Sequence, residues 1–513
     1  MSIKKLAGQT LWYGVPRIVS RFLNFGVSLL GFQLFDPNGS YPFTQIYAVI
    51  PFLTVLFTYG LETSFFRFAQ TTDKKKLFNT LNISIWITTL AMTLLLFAFK
   101  GPLTRFIEME KYPQFVTWMI WIVFFDTLYT IPMAKLRLEE RPRKYAFINV
   151  FSILLNIAII LFFYYVAKPA HDAGENSFFA LLYNPEIGIG YFIIANVVAS
   201  AVSLLLLYKE FASFKFEFDG KLWKDVIHYS YPLIIVGFGG QINEMLSRVI
   251  YRKVLTDPRA DAEAELGIFG ANYKLAVLVT IFIQIFRMAA EPFFFNQSRN
   301  EGVQKMYARV MKLFVIACCF MFLIVSLFLD FWVKLIATKH PEYAEGVHIV
   351  PIITMASIFL GIYYNLSIWY KLTNRNMMGA YVTIAGAVIT IILNIIFIPQ
   401  WHYTGAAWAT FICYAFMMAI SYAQGQKYYP IPYAKKKLIT YMVIVSLLYI
   451  IHEYAISPFL TRVQKPKHLP ALTGGSFLIY YGSSLLLIGL FTLLIVKVEK
   501  KEMQKLPFIG KYF

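Results

Sequence analysis

Charged residues are scarce in this chain, since only 15% of its 513 residues are Asp, Glu, Lys or Arg. A soluble globular domain has about 25% charged and about 45–50% apolar residues, whereas this chain is 58% hydrophobic and 18% aromatic. The composition excludes an ordinary soluble domain and indicates a polytopic membrane protein. The formal net charge of +19 fits basic loops on one side of a membrane better than it fits nucleic-acid binding.

Cysteine and histidine are also rare, with three and seven copies. Cys318, Cys319 and Cys413 lie in apolar stretches, which predicts buried small side chains and no disulfide framework. The histidines lack metal-ligand spacing, and the sequence has no nucleophile elbow, Ser/His/Asp order or Walker loop. We therefore expect no metal, no cofactor and no enzymatic activity.

Apolar stretches long enough to cross a bilayer as helices recur along the whole chain. They predict an all-α polytopic membrane protein with about 14 transmembrane helices, because a backbone in lipid must satisfy its own hydrogen bonds. With both termini in the cytoplasm, roughly 31 Lys and Arg lie on the cytoplasmic side against about 12 outside. The predicted spans are 10–34, 43–63, 78–99, 115–134, 145–167, 188–208, 227–251, 267–290, 309–330, 347–370, 379–399, 404–426, 438–456 and 475–497.

An internal repeat divides these spans into two halves. Asp36-Pro37 and Glu62 recur in the same order as Asp257-Pro258 and Glu291. Two sets of six helices in the same orientation are typical of transporters built from parallel repeats. The predicted domains are an N-terminal lobe of helices 1–6 over 1–214, a C-terminal lobe of helices 7–12 over 215–430, and two additional helices with a cytoplasmic tail over 431–513.

Four cationic side chains interrupt the predicted spans, namely Arg17, Arg21, Arg248 and Lys274. A charge that faces lipid near the bilayer centre costs at least about 2.5–3.5 kcal/mol, so these residues should face water or protein. Arg17 and Arg21 are four residues apart and share one helix face, although Arg17 has the alternative of extending to the interface. We predict that all four line a central cavity that binds an anion.

Four carboxylates are candidates for ion coupling or gating, namely Glu62, Asp126, Glu244 and Glu291. Asp126 lies well inside a span, where it is either an ion or proton site or the partner of an arginine. Glu244 precedes Arg248 by one turn, so an intrahelical ion pair is an equal alternative. Glu62 and Glu291 occur at predicted inner helix ends, where solvated or interlocked gate residues are expected.

The N-terminal part of the chain resembles a known family. The segments that carry the resemblance are Leu6-Ala7-Gly8, Ser20-Arg21-Phe22-Leu23-Asn24-Phe25, Phe35-Asp36-Pro37 and Tyr59 to Arg67. They are similar to the start of bacterial polysaccharide-export flippases, which are grouped with the multidrug and toxic compound extrusion transporters and the lipid II flippases. The second segment is similar to the Ser-Arg-x-Leu-Gly-Phe of lipid II flippases, with Asn24 where those have Gly.

This resemblance implies a flippase that moves an undecaprenyl-diphosphate-linked oligosaccharide across the bacterial inner membrane by alternating access, in lipopolysaccharide or other cell-surface polysaccharide biosynthesis. In that group the arginine of the first helix faces the central cavity, a role that the resemblance gives to Arg21. The implied partners are the diphosphate headgroup, membrane lipids and Na⁺ or H⁺ as candidate coupling ions. The implied protein is a monomeric transporter without nucleic acid.

Three alternatives remain at this point. An ion-coupled multidrug exporter of cationic drugs needs acidic cavity walls, whereas cations outnumber carboxylates in these spans. A membrane glycosyltransferase or polymerase needs a catalytic carboxylate or histidine, usually in a sizeable external loop. A scaffold of the envelope assembly machinery needs neither cavity nor catalytic residues.

Overall fold

The computed structural model describes residues 3–212, 214–297, 302–373, 375–456 and 475–504. These residues form helices and short connections, and no strand occurs within the described ranges. The prediction of an all-α polytopic membrane protein is confirmed. The lobe boundaries at 214/215 and 430/431 stay predictions.

Twelve helices lie in the described part of the predicted N-terminal lobe. A π-helical turn over Phe163–Ala167 follows the eighth helix, and a 3₁₀ turn over Pro185–Ile187 precedes the eleventh. The helices are α1 (Ile3–Leu34), α2 (Pro37–Thr58), α3 (Leu61–Phe68), α4 (Lys74–Ala98), α5 (Lys100–Phe106), α6 (Pro113–Leu128), α7 (Thr130–Leu138), α8 (Pro142–Phe162), α9 (Lys168–Asp172), α10 (Phe178–Leu181), α11 (Gly190–Leu205) and α12 (Tyr208–Ala212).

Nine further helices follow in the described part of the chain. A 3₁₀ turn over Pro341–Gly346 lies between the fourth and fifth of them, and a π-helical turn over His452–Ile456 follows the eighth. The helices are α13 (Gly220–Val254), α14 (Ala262–Gln297), α15 (Val303–Ser326), α16 (Leu329–Ala337), α17 (Ile349–Leu366), α18 (Ile368–Leu372), α19 (Asn376–Tyr428), α20 (Lys435–Ile451) and α21 (Gly475–Met503).

The number of spans agrees with the prediction of about 14 once two short helices and one broken helix are counted. Eleven helices in the described ranges are long and apolar enough to cross a membrane. Two shorter apolar helices, Ile18–Leu34 and Gly190–Leu205, correspond to the predicted first and sixth spans. The stretch Met377–Tyr428 breaks at His402, whose φ of 53° and ψ of −139° separate it into two spans. These elements together account for the predicted total of about 14.

Aspartate residues fix where several helices begin. Asp36 accepts a hydrogen bond from the Gly39 amide at 2.8 Å, and Pro37 occupies the first helical position of α2. Asp261 plays the same part for α14, accepting from the amides of Glu263 and Ala264 at 3.1 Å. The Asp257-Pro258 echo of Asp36-Pro37 therefore does not mark the equivalent helix start.

The helix bundle has two ends, which we call the Asp36 end and the Asp73 end after the loops that contain these residues. At the Asp36 end, α2 and α14 approach each other very closely. A Cβ atom at Gly267 would lie 2.2 Å from the Pro37 carbonyl oxygen, and one at Gly270 would lie 2.2 Å from Thr44 Oγ1. Glycine is required at both positions because the helices leave no room for a side chain.

Polar contacts reinforce this close approach. Asn38 Nδ2 donates to Asp261 Oδ2 at 3.0 Å, and the Tyr343 hydroxyl donates to the Phe35 carbonyl at 2.9 Å. Gln33 Nε2 donates to a backbone carbonyl of α16 at 2.6 Å. The turn between α1 and α2 is therefore held against α14, α16 and the 3₁₀ turn that precedes α17.

At the Asp73 end, α13 packs against α3 and α4. The hydroxyls of Ser64 and Ser230 are 2.6 Å apart, and Trp223 Nε1 donates to Ser84 Oγ at 2.7 Å. The sequence around Lys209 to Asp225 suits an amphipathic segment on the membrane surface. In the structure, helix α13 already begins at Gly220, where Asp219 accepts a hydrogen bond from the Leu222 amide, and Trp223 then donates to Ser84 on α4.

A buried glutamate joins the start of α8 to α12. Glu210 is 1% exposed, and its Oε1 lies 2.7 Å from Arg141 Nη1. Its other carboxylate oxygen forms an ion pair with Lys144. Removing a buried partner from such a group costs more than removing an exposed one, since the remaining charges lose a desolvated counter-ion.

We expect Glu210→Gln to lower the stability of the purified protein by about 1.5–3 kcal/mol, the usual range for hydrogen bonds to charged groups. The measurement is the thermal unfolding temperature in detergent. The matched control is Glu139→Gln, because Glu139 also lies beside Arg141, at 3.4 Å, but both side chains are exposed. That change should cost less than about 1 kcal/mol. Equal unfolding temperatures for the two variants would contradict this assignment.

Candidate functional site

A cavity of about 390 Å³ lies among helices of the first half of the chain and reaches α14. Side chains from α1, α2, α7, α8 and α11 line it, with α14 contributing one residue, Lys274. Lys274 is the one charged residue among the described side chains that line this space. A volume of this order is typical of a site for a small molecule or for part of a larger one.

Most of the polar lining consists of amides and hydroxyls. Each helix presents them three, four or seven residues apart, and this spacing places them on one face of an otherwise apolar helix. The Asn196 amide donates to the Tyr47 hydroxyl at 3.0 Å. The uncharged lining residues of this kind, which we call the amide wall, are Ser20, Asn24 and Ser28 on α1, Asn149, Ser152 and Asn156 on α8, and Asn196 and Ser203 on α11.

Aromatic rings bound the cavity toward the Asp36 end. Phe43 and Phe192 both line the cavity, and their ring centroids are 5.9 Å apart. The ring of Phe32, buried at 1% exposure, lies 6.4 Å from that of Phe43. The opposite part of the lining, which includes Met133 and Ser203, belongs to helix segments nearer the Asp73 end. The space therefore extends from an aromatic layer toward the Asp73 end.

The structure brings together four of the residues that the sequence singles out. Arg248 is 8% exposed, and its guanidinium carbon lies 4.0 Å from the ring centroid of Tyr273. Its Nη2 donates to the Glu244 carbonyl at 2.9 Å. The Glu244 carboxylate interacts electrostatically with Arg248 and with Arg21, and Arg248 does so with Lys274. We call Arg21, Glu244, Arg248 and Lys274 the cationic cluster, since it combines three cations with one carboxylate.

Arg21 lies at the edge of the cavity-lining face of α1, and its role in the cavity stays a prediction. That face carries Ser20, Asn24 and Ser28, and Arg21 lies about 60° round the helix from Asn24 in its middle. Arg21 is exposed and lies beside this face, within electrostatic reach of Glu244 on α13. The side chain of Arg17 lies outside the described part of the chain, so its role stays a prediction.

Asp126 lies next to the amide wall. Its carboxylate accepts a hydrogen bond from the Ser200 hydroxyl and interacts electrostatically with Tyr47, which lines the cavity. Tyr47 in turn accepts from Asn196. The structure thus places this carboxylate within one side chain of the cavity, among neutral hydrogen-bonding partners.

The other two candidate carboxylates lie elsewhere. Glu62 forms an ion pair with Arg137, whose guanidinium carbon lies 4.7 Å from the ring centroid of Phe66. This pair joins α3 to α7 within the first half of the chain. The side chain of Glu291 is not among those that the structure describes. The gating role of both residues stays a prediction.

Two contributions were not recognised in the sequence. The first is the amide wall, although its spacing on apolar helices is a readable signal. The second is Arg287, whose guanidinium carbon lies 4.4 Å from the ring centroid of Tyr364. Tyr364 interacts electrostatically with Glu244, so Arg287 extends the positive region along α14. Within the described residues, no group of three His, Cys, Asp or Glu could hold a metal ion.

Several solved structures share this fold. The lipid II flippase MurJ in an inward closed conformation is 14% identical, covers 94% of this chain and 98% of its own, and has a TM-score of 0.68. An inward-facing multidrug resistance transporter of the MATE family is 12% identical, covering 85% of this chain and 99% of its own, with a TM-score of 0.64. A transporter of the MOP superfamily from Pyrococcus furiosus, described for the reverse polarity of its binding pocket, is 12% identical over 82% of this chain and 95% of its own, with a TM-score of 0.57.

At these identities the structural likeness shows the fold alone. No curated protein matches the sequence significantly. The profile of a family described as polysaccharide biosynthesis protein matches residues 6–298. Because that match covers more than half of the 513 residues, the chain belongs to the polysaccharide biosynthesis protein family.

Proposed function

We propose that this protein is a flippase that moves an undecaprenyl-diphosphate-linked oligosaccharide across the bacterial inner membrane, for cell-surface polysaccharide biosynthesis. The observation that carries the proposal is that an uncharged amide wall and a cationic cluster meet at Lys274. Amides and hydroxyls donate to and accept from neutral sugars. Lysine and arginine pair with phosphate groups. The two parts therefore suit the two chemistries of one amphipathic substrate.

The polar part of such a substrate cannot enter hydrocarbon without losing its hydrogen bonds, so it needs a polar path across the membrane. A cavity among the helices supplies that path, while the lipid tail stays in the bilayer. Membership of the polysaccharide biosynthesis family and the fold shared with a lipid II flippase support this interpretation. The same considerations favour a transporter over a glycosyltransferase or a scaffold.

A multidrug exporter for cationic compounds is the second candidate, because MATE transporters share the fold. Its substrates need carboxylates that are free to face the cavity. Here Lys274 is the charged residue in the described lining, and Glu244 already interacts with two arginines. The sign of the charge therefore favours an anionic substrate.

Two further parts of the mechanism follow from the same geometry. Asp126, beside Tyr47 and Ser200, is the candidate site for coupling to Na⁺ or H⁺. Alternating access requires that one end of the bundle closes while the other opens. The glycine contact between α2 and α14 is the candidate seal at the Asp36 end. In the predicted orientation that end faces outward.

We expect Lys274→Ala to reduce transport of a defined lipid-linked oligosaccharide in reconstituted vesicles by about tenfold or more, since one lost charge-assisted contact is worth about 1.5–3 kcal/mol. The matched control is Lys305→Gln, which removes a charge from an exposed position far from the cavity. It should leave transport unchanged. Normal transport by a correctly folded Lys274→Ala variant would refute a role for this cation.

Asn156→Ala should weaken binding of the sugar-bearing lipid by about fivefold to tenfold, because one neutral hydrogen bond is worth about 1 kcal/mol. Binding of the same lipid diphosphate without sugar should not change. Asn394→Ala is the control, since Asn394 is buried and donates to the Thr390 carbonyl within its own helix. An equal loss for both lipids would argue against a sugar contact at the amide wall.

Gly267→Ala should open the Asp36 end, because its new methyl group has no space beside Pro37. Spin labels at the exposed residues Glu186 and Glu342 should then report longer distances in a pulsed resonance experiment. Transport should fall several-fold. Gly489→Ala, where a Cβ meets nothing within 4 Å, is the control. Unchanged distances in the Gly267→Ala variant would show that this contact does not seal the end.

A further inference from the structure

A second cavity, of about 830 Å³, lies at the Asp73 end and shares no lining residue with the first. It is enclosed by the loop before α4, the last turn of α7 and the connection 214–219 that leads into α13. We call it the lysine pocket, because five lysines line it. They are Lys74, Lys75, Lys76, Lys135 and Lys215.

Four carboxylates share the lysine pocket with the five lysines. Glu217 is exposed, and the other three are engaged in local structure. Asp73 accepts from the Lys76 amide at 2.8 Å and caps α4. Asp219 accepts from the Leu222 amide at 2.9 Å to cap α13, and lies 2.5 Å from Lys76 Nζ. That hydrogen bond from Lys76 lowers the pKa of Asp219. Glu139, between Lys135 and an arginine, is also occupied.

Several of the lysines are left without such partners. Lys74, Lys75 and Lys215 are exposed, and no ion pair to them occurs within the described ranges. Lys135 lies at the floor, with 17% of its side chain exposed and its ammonium 4.1 Å from the ring centroid of Phe78. Lys135 is attracted by Glu139 and Glu210 and is repelled more weakly by Lys75. A multiply charged anion in this space relieves that repulsion and gains several cationic contacts.

The surroundings of the pocket place it at a membrane boundary. The α4 span begins at Lys74, and Phe216 and Phe218 are exposed beside the lysines, as aromatic side chains often are at such a boundary. The Lys215 amide donates to Asn79 Oδ1 at 3.3 Å, so the connection is fastened to α4. An occupant of the pocket therefore contacts α4, α7 and the connection between the two halves of the chain.

We propose that the lysine pocket binds a phosphate-bearing anion with two or more negative charges and that its occupancy holds the connection 214–219 against α4. The headgroup of an anionic membrane lipid and a soluble diphosphate both supply this chemistry. The lysine pocket is separate from the cavity to which transport is proposed. The binding test below therefore decides this proposal independently of the proposed transport function.

The test compares full-length protein with a variant that carries Lys74→Gln, Lys75→Gln and Lys215→Gln. Lipid binding is measured with spin-labelled cardiolipin in phosphatidylcholine vesicles, and soluble binding is measured by calorimetry with inorganic pyrophosphate. The variant should bind the occupant at least about tenfold more weakly, given roughly 1 kcal/mol for each lysine near a membrane surface. Binding of cardiolipin alone identifies a lipid site, and binding of pyrophosphate identifies a soluble ligand.

The control variant carries Lys305→Gln, Lys436→Gln and Lys497→Gln, which removes the same charge from exposed positions outside the pocket. Its binding should stay within about twofold of the original protein, because surface charge outside a site contributes weakly. Should the first variant fail to fold, Lys215→Gln alone gives the same comparison with a smaller loss. Hydrogen exchange over 214–219 should slow when the ligand binds. Equal binding by the pocket variant and the control would overturn the proposal.

Discussion

The constraint on which the arrangement depends is the cost of holding positive charge at membrane depth. Arg248 is almost fully buried, and its charge is offset by the Tyr273 ring and by the backbone and carboxylate of Glu244. Lys274 is repelled by Arg248 and lines the cavity. One carboxylate among three cations leaves the region positive, which is the condition that an incoming phosphate group would satisfy.

The amide wall complements this region by being uncharged. Polar side chains on α1, α8 and α11 are tolerated inside a membrane protein because they line a cavity and form hydrogen bonds within the protein. Since amides and hydroxyls accept many hydrogen-bond patterns, such a wall tolerates variation in the ligand. In the proposed function, Lys274 orients a bound molecule and the amide wall recognises its neutral part, so the two tasks belong to different helices.

The sequence was sufficient for the helical class and for most spans, because long apolar runs leave a lipid-embedded chain little choice. It was insufficient where tertiary partners decide. The Trp223–Ser84 contact and the Glu62–Arg137 pair each join residues that are distant in sequence. For the site, attention to charge singled out the residues of the cationic cluster, whereas the register of serine and asparagine on α1 shows which face lines the cavity.

The glycine contact between α2 and α14 determines which atoms would meet water if these two helices separated. Interlocked apolar side chains would present new hydrocarbon surface to water each time two helices part, and the cost grows with the area exposed. At Gly267 and Gly270 the opposing groups are instead a carbonyl oxygen and a hydroxyl. Both atoms can be hydrated at once, so the separation of α2 and α14 that the proposed alternating access requires would expose polar atoms at these two positions instead of new hydrocarbon surface.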